Sequence, residues 1–322
     1  MADERERENY TLVVRRPCFG LPTACPSCLP VFLYLRFANT PFHLDFNLVY
    51  PDSDQIPYIE SGDYVAYNNE KGGVIERLKQ DGTIDMDSEV YSVPDWISTK
   101  AMLSSWLADA LKYELWVGSD GTAEKIYCSD LPWPIGRALF LKQVYNVKKQ
   151  LGITKDNAGQ KEEEIYRKAS IAYGALSTKL GDQNFLFENR PSSLDAIFLG
   201  QALITLKALP ETSVLRSKLL EHGNLVKFAE RIKTELVDTG PSFSVPHLHP
   251  EPSSSTSRKG PSQRSKPKSK PKKERTKEEI TFRRRAKYFL VTQLVAVLLF
   301  LTLMGRPEDA EIELDDDDEG LD

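Results

Sequence analysis

The amino-acid sequence predicts a small α/β domain followed by an all-helical domain, and three observations support this architecture. Strand-like and helix-like segments alternate up to about Gln80, whereas only helical periodicity occurs from Pro94 to about Asp238. The chain of 322 residues is long enough for about two domains. Its composition, with 40% hydrophobic and 28% charged residues, is typical of globular proteins, so both parts can bury a core.

The elements of the first part follow the order βαβ-ββα, as in a thioredoxin-like domain. Tyr10–Arg16 is a strand candidate, and Leu29–Phe37 is helical, with its large apolar residues on one face. Phe42–Val49 alternates apolar and polar residues, which predicts a half-buried strand. Two short strands flank the hairpin turn Ser61-Gly62-Asp63, and a short helix around Val74–Leu78 ends this part.

The second part contains only helix signals. Proline at the first helical position predicts a helix that begins at Pro94-Asp95. Apolar residues at helical spacing from Ile165 to Leu180 predict a second, amphipathic helix. Ser192 and Asp195 form an S-x-x-D capping box before the apolar run AIFLGQALITL, so we expect a structural role for both.

Composition divides the chain into six segments. They are a disordered N-terminus (1–9), a thioredoxin-like domain (10–82), an all-helical domain (93–238), a disordered basic linker (239–282), a transmembrane anchor (287–304) and an acidic tail (305–322). The net charge of -5 averages over unlike regions, because the linker is basic and the tail is acidic. The linker is rich in Pro, Ser, Lys and Arg, and it lacks the apolar residues that could offset its ordering entropy.

The anchor is predicted from a run of uncharged, mostly apolar residues, YFLVTQLVAVLLFLTLM at 288–304. At 1.5 Å per residue this run forms about 26 Å of helix, enough for a thin bilayer. Its Leu, Val and Phe residues favour insertion by about 5 kcal/mol, and its polar residues offset roughly half of that. A buried core helix is the alternative, but the run has no polar face.

The residues that flank this run predict its orientation. Arg283, Arg284, Arg285 and Lys287 precede it and the acidic run DDDDE follows it, so the N-terminal side should stay in the cytosol. We therefore expect a tail-anchored, single-pass protein in contact with membrane lipid. A short, moderately apolar span with a basic flank favours the mitochondrial outer membrane, with the tail in the intermembrane space. The endoplasmic reticulum is the alternative.

The stretch CPSC at residues 25–28 is the candidate for redox chemistry. Cys25 is expected at a helix N-cap with Pro26 at the first helical position, where the helix dipole lowers the pKa of a thiol. Pro57, expected in cis ahead of the third strand, has the structural role that this fold requires opposite the cysteine. A glutathione transferase or glutaredoxin-like enzyme with Cys25 as its catalytic residue is therefore the alternative function.

Two features of a glutathione site are missing from the sequence. The connection Pro51–Gln55 is too short for the helix that helps to hold glutathione in such proteins. Asn68 and Asn69 occupy the positions of the acidic residue and the serine that bind its γ-glutamyl group. We therefore expect no enzymatic activity and no cofactor, and we assign structural roles to the cysteines.

Other candidate sites are weaker. His247 and His249 lie on the linker without further ligands, and DDDDE lacks the geometry of a calcium loop, so no metal site is predicted. The basic linker has neither an aromatic platform nor a helix-turn-helix, so nucleic-acid binding is not expected either. All four tryptophans suit a core, although Trp133 lies between two prolines and could contact a partner.

The chain resembles the metaxins, a family with a glutathione-transferase-like fold. The stretches CLPVFLYLRFANTPF and IPYIESGDYV carry this resemblance, together with EEEIYRKASIAYGALSTKLGDQNFLFENRPSSLDAIFLG and the C-terminal anchor. The resemblance implies a non-enzymatic subunit of the mitochondrial outer-membrane sorting and assembly machinery. It also implies three partners: the β-barrel core subunit of that machinery, other metaxin-like subunits and β-barrel precursor proteins. A generic outer-membrane adaptor is a third possible function.

Overall fold

The computed structural model describes residues 10–46, 54–118, 121–129, 131–187, 190–238 and 292–293. The chain divides into two compact units, Met1–His247 and Leu248–Asp322. In the second unit only two helical residues, Thr292 and Gln293, are described. The predicted linker, the basic flank Arg283–Lys287, the rest of the anchor and the acidic tail lie outside the described residues. No described helix has both the length and the apolar character needed to cross a membrane.

A four-stranded sheet forms the start of the first unit, in the order β2-β1-β3-β4. Its strands are β1 (Tyr10–Val14), β2 (Phe42–Phe46), β3 (Tyr58–Ser61) and β4 (Tyr64–Tyr67). Strand β1 runs parallel to β2 and antiparallel to β3, and β3 and β4 form the predicted hairpin around the turn at Gly62. Gly62 adopts a φ of 57° in this turn, which favours glycine.

Two helices accompany the sheet, α1 (Cys28–Phe37) and α2 (Gly73–Gln80). The sequence predicts that α1 buries one face, but every residue from Cys28 to Leu35 is buried. The reason is that α1 packs against the sheet and against the helical part as well. Phe32 contacts Phe42 of β2 edge to face, with ring centroids 5.6 Å apart.

The remaining elements are all helical, as predicted. They are α3 (Pro94–Ala101), α4 (Ala108–Tyr113), α5 (Thr122–Tyr127), α6 (Trp133–Gln150), α7 (Ala158–Leu180), α8 (Ser193–Lys207), α9 (Val214–Leu220) and α10 (Gly223–Ile232). Two π-helical turns, Met102–Leu107 and Glu114–Gly118, precede and follow α4, and a third, Lys233–Asp238, follows α10. In the first of these turns the Leu103 carbonyl accepts hydrogen bonds from the Ala108 N–H and from the Gln201 side chain of α8.

Helix α8 is the central helix of the helical part, because nearly all of its residues are buried. The capping box is present at its start: the Ser192 N–H donates to Asp195 Oδ2 (2.9 Å), and the Asp195 N–H donates to Ser192 Oγ (3.3 Å). The Leu186 N–H donates to Asp195 Oδ1 at 2.8 Å. Burial of the Asp195 carboxyl raises its pKa to about 6, although these hydrogen bonds lower it.

The α/β part and the helical part meet along α1 and α8. Gly200 of α8 lies so close to Pro30 that a Cβ atom added there would be 2.7 Å from the proline Cγ. A buried ion pair joins the two parts nearby, because Asp87 accepts hydrogen bonds from the Ser193 N–H (2.8 Å) and from Lys79 of α2 (2.5 Å). The two parts therefore share one continuous hydrophobic core.

Candidate functional site

The CPSC stretch lies at the start of α1, but the helix begins later than predicted. The Leu29 N–H donates to the Cys25 carbonyl (3.1 Å), as expected if Cys25 is the N-cap. Pro30, however, has no N–H to donate to the Pro26 carbonyl. The regular helix therefore begins at Cys28, with Ser27 as its N-cap. The prediction that Cys25 is the N-cap and Pro26 the first helical residue is wrong, because the N-cap lies later in the chain, at Ser27.

The two cysteines of this stretch form a buried thiol cluster with two hydroxyl groups. The cluster consists of Cys25, Cys28, Ser27 and Tyr127. Cys25 Sγ lies 3.3 Å from Ser27 Oγ and 3.7 Å from the hydroxyl of Tyr127, which belongs to α5 of the helical part. The Cys28 N–H donates to the Cys25 carbonyl (3.1 Å), so the two cysteines lie one turn apart at the start of α1. Cys25 is only 1% exposed and Cys28 is fully buried, and both are thiols rather than parts of a disulfide.

Arg15, just after β1, places a positive charge beside this cluster. Its side chain is 7% exposed, and its guanidinium carbon lies 4.6 Å from the ring centre of Tyr127. Two of its nitrogens, Nε and Nη1, are buried and have no hydrogen-bond acceptor within the described part of the chain. A buried cation of this kind needs a nearby negative charge, because its desolvation is otherwise costly.

Cys25 can supply that charge. Burial raises the pKa of Cys25, but the hydrogen bond from Cys28, the Arg15 charge and the Ser27 and Tyr127 hydroxyls together hold it well below its ordinary value. Burial and the neighbouring Cys25 raise the pKa of Cys28 well above the ordinary value. The pKa of Cys25 is therefore lowered and that of Cys28 is raised within the same cluster, as for the nucleophilic and the resolving cysteine of a Cys-X-X-Cys motif.

The residues near the predicted glutathione position have other roles. Pro57 is buried and follows a cis peptide bond, as the sequence predicts. The Asn68 N–H donates to the Gln55 carbonyl (3.1 Å), and its side chain lies 3.5 Å from the Asp54 carbonyl, so Asn68 holds the chain ahead of β3. Most of the connection Pro51–Gln55 lies outside the described residues.

A second candidate is an exposed apolar stripe on α6. The stripe consists of residues at spacings of four, three and four along the helix: Pro134, Ala138, Leu141 and Tyr145. All four are exposed, whereas Gly136 and Val147 face the core. Trp133, next to the stripe, is 80% exposed, while Trp96 is buried and Trp106 and Trp116 pack against the core.

Basic side chains border this stripe. They are Arg137, Lys142, Lys148 and Lys149, and all of them are exposed. Of this surface, the sequence indicated only Trp133 as a possible partner contact, because the sequence pattern was not used to predict which side of α6 faces the core. The apolar spacing from Pro134 to Tyr145 is the signal that was available in the sequence.

The described residues contain no candidate metal centre. Within the described ranges, no three His, Cys, Asp or Glu side chains are grouped so that they could hold a metal ion. His247 and His249 and the DDDDE run lie outside those ranges. The described structure therefore offers two candidates, the buried thiol cluster and the α6 stripe.

Comparisons with known proteins agree with this fold. Models of the glutathione S-transferase N-terminal and C-terminal domains match residues 26–121 and 169–232. A solved glutathione S-transferase from Ceriporiopsis subvermispora, in complex with glutathione, superposes with a TM-score of 0.50 at 12% identity. The match covers 70% of this chain and 97% of that structure. The chain therefore has the glutathione-transferase fold, with an α/β domain before a helical domain.

Full-length similarity gives the family. The chain is 54% identical to the "Mitochondrial outer membrane import complex protein METAXIN" of Arabidopsis thaliana over 99% of its own length and 100% of that protein. It is 25% identical to mouse (Mus musculus) Metaxin-1, over 66% of this chain and 71% of that protein. This chain belongs to the metaxin family.

Proposed function

We propose that this protein is a non-enzymatic subunit of the sorting and assembly machinery of the mitochondrial outer membrane, where it supports the insertion of β-barrel precursors. Its similarity to the Arabidopsis thaliana protein, over the whole length of both chains, supports this proposal most strongly. That relative is named as a component of a mitochondrial outer-membrane import complex. The partners are then the β-barrel core subunit, other metaxin-like subunits and the precursors themselves.

The α6 stripe is the surface that we assign to contact with the core subunit. Apolar side chains at helical spacing, with basic residues around them, form a docking surface for a partner that offers an apolar groove with an acidic rim. Trp133 and Tyr145, 80% and 66% exposed, are the residue types that contribute most to such interfaces. Nothing in the described part of the chain covers either side chain.

The C-terminal segment attaches this surface to the membrane in our proposal. The apolar run 288–304, with Arg283, Arg284, Arg285 and Lys287 before it, serves as a single-pass anchor in contact with lipid. The folded part then faces the cytosol and the acidic tail faces the intermembrane space. The basic linker keeps the folded part at a high effective concentration beside the membrane complex.

Affinity isolation from detergent-solubilised mitochondria tests this function. The tagged full chain should co-purify with the β-barrel core subunit. A triple variant with serine at Trp133, Leu141 and Tyr145 should lose this subunit by about tenfold or more, since each buried anchor contributes about 1 kcal/mol or more. Ile171→Ser, at another exposed apolar residue, is the matched control and should retain it. If depletion of the protein left porin-type barrels assembling normally, a generic adaptor would be the better description.

The thiol cluster favours a second function, a glutathione-dependent thiol enzyme based on Cys25. Two observations weigh against it: Cys25 is 1% exposed, and Asn68 is bonded to the chain ahead of β3. Turnover of glutathione disulfide by the full chain, abolished by Cys25→Ser, would establish the enzyme and contradict our proposal.

A further inference from the structure

The thiol cluster has a chemical feature that docking at the membrane does not explain. Arg15 is a buried cation whose Nε and Nη1 have no acceptor among the described residues. Its side chain lies against Tyr127, and Tyr127 in turn contacts Cys25. Three parts of the chain therefore meet around Cys25: the start of α1, Tyr127 of α5, and Arg15 after β1, which lies against Tyr127.

We propose that Cys25 and Cys28 form a peroxide-sensitive dithiol site, in which Cys25 is oxidised by a small hydroperoxide and Cys28 then closes a disulfide with it. The charged and titratable groups around Cys25 define the site: Arg15, Tyr127 and Cys28. Arg15 stabilises the Cys25 thiolate, and the hydroxyl groups of Ser27 and Tyr127 can donate hydrogen bonds to it.

The chemistry balances with hydrogen peroxide as the oxidant. The Cys25 thiolate attacks one peroxide oxygen, the O–O bond breaks, and Cys25 becomes a sulfenic acid while hydroxide leaves. The Cys28 sulfur then attacks the Cys25 sulfur, the S–O bond breaks, and the hydroxyl leaves as water after taking up the Cys28 proton. In sum, two thiols and one hydrogen peroxide give one disulfide and two waters.

Burial selects the size of the oxidant. Cys25 is 1% exposed and Tyr127 lies over it, so a bulky disulfide would reach the sulfur only after the two parts of the protein separate. Hydrogen peroxide is close to water in size and needs far less opening. The site is therefore suited to a small hydroperoxide rather than to glutathione disulfide.

Oxidation would also change the charge balance of the interior. The disulfide carries no charge, so Arg15 would lose the negative charge beside it. Its Nε and Nη1 would still be buried without an acceptor among the described residues. Its neighbour Tyr127 lies 4.9 Å from Trp116, ring centre to ring centre, and Trp116 lies 5.7 Å from Phe140 of α6. We therefore expect the fluorescence of Trp116 to report on the redox state.

The test treats the purified full chain in detergent with one equivalent of hydrogen peroxide and then counts the alkylatable thiols by mass spectrometry. We expect the chain to lose two thiols, both on the peptide that contains residues 25–28. Cys18 is an internal control: it is half-buried, and burial raises the pKa of its thiol, so it should react at least about tenfold more slowly.

Three variants complete the test. Cys28→Ser should stop at a sulfenic acid that dimedone traps, and Cys18→Ser should form the disulfide like the wild type. Arg15→Gln removes the positive charge and should raise the pKa of Cys25. Each unit of this rise should slow the oxidation of Cys25 by about tenfold. Equal reactivity of Cys18 and Cys25 in the unmodified chain would overturn the proposal, and that comparison does not depend on whether a variant folds.

Discussion

Gly200→Ala is the substitution for which the structure gives the clearest prediction. The new Cβ atom would lie 2.7 Å from Pro30 Cγ, 2.8 Å from Pro30 Cδ and 3.0 Å from the Pro30 nitrogen. Ordinary carbon contacts are about 3.5–4.0 Å, and the proline ring cannot rotate away, so α1 and α8 must separate by the better part of an ångström. Overpacking of this kind costs about 1–3 kcal/mol. Alanine's higher helix propensity returns up to about 1 kcal/mol, so we expect a net loss of about 1–2 kcal/mol.

Gly174→Ala is the matched control. Gly174 lies inside α7, and apart from its own helix no atom of the described residues is within 4 Å of the position where its Cβ would be. Alanine there should stabilise the protein by about 0.5–1 kcal/mol through helix propensity alone.

Urea denaturation of the full chain in detergent, followed by far-UV circular dichroism, measures both effects. The two variants should shift the midpoint in opposite directions at an unchanged slope. Pro30→Ala removes the ring atoms Cγ and Cδ, so in a double-mutant cycle it should relieve part of the penalty of Gly200→Ala. If Gly200→Ala stabilised the protein as much as Gly174→Ala does, the close approach of α1 and α8 would be refuted.

Two further predictions concern buried carboxylates. The pKa of Asp195 is about 6 in the folded protein, whereas in the unfolded chain it has its ordinary, lower value. The folded state therefore binds the proton more tightly, and protonation of Asp195 stabilises the fold at acid pH. This stabilisation is lost as the pH rises through 6. Relative to Asp195→Asn, which cannot titrate, the wild type should therefore gain about 1 kcal/mol between pH 7 and pH 5 in denaturation series; a constant difference would contradict the raised pKa. Asp87→Ala leaves the Lys79 ammonium with Glu76 (3.2 Å) and the neutral Ser193 hydroxyl (3.0 Å), and it should cost about 2–3 kcal/mol. Glu89→Ala, which breaks an exposed pair with Arg190, should cost under about 1 kcal/mol in the same assay. Similar losses would mean that Asp87 is not a buried partner.

The parts of the fold that depend on local patterns could be predicted from the sequence. Apolar periodicity identified the buried face of α7, and the five residues that define this periodicity are all buried: Ile165, Ala169, Ala172, Leu176 and Leu180. Turn and helix-start residues identified the hairpin at Gly62 and the helix at Pro94. The prediction of an α/β domain followed by a helical domain is confirmed.

The contacts that define the candidate sites could not be predicted, because they join distant parts of the chain. Tyr127 reaches Cys25 across 102 positions, and no spacing rule relates two residues so far apart. Arg15 had the pattern of a strand residue, and only the fold shows that it is buried beside a thiol. The π-helical turn at Met102–Leu107 was also missed, since its residues have ordinary helix propensity.

The burial of α1 from Cys28 to Leu35 has a consequence for synthesis of the protein. Helix α1 contacts α8, which leaves the ribosome roughly 160 residues later, a delay of about 10–30 s at about 5–20 residues per second. During that time the nascent chain presents the apolar surface of α1, around Phe32 and Leu33, to the cytosol. We therefore expect cytosolic chaperones to bind the nascent chain at α1 and to release it when α8 arrives.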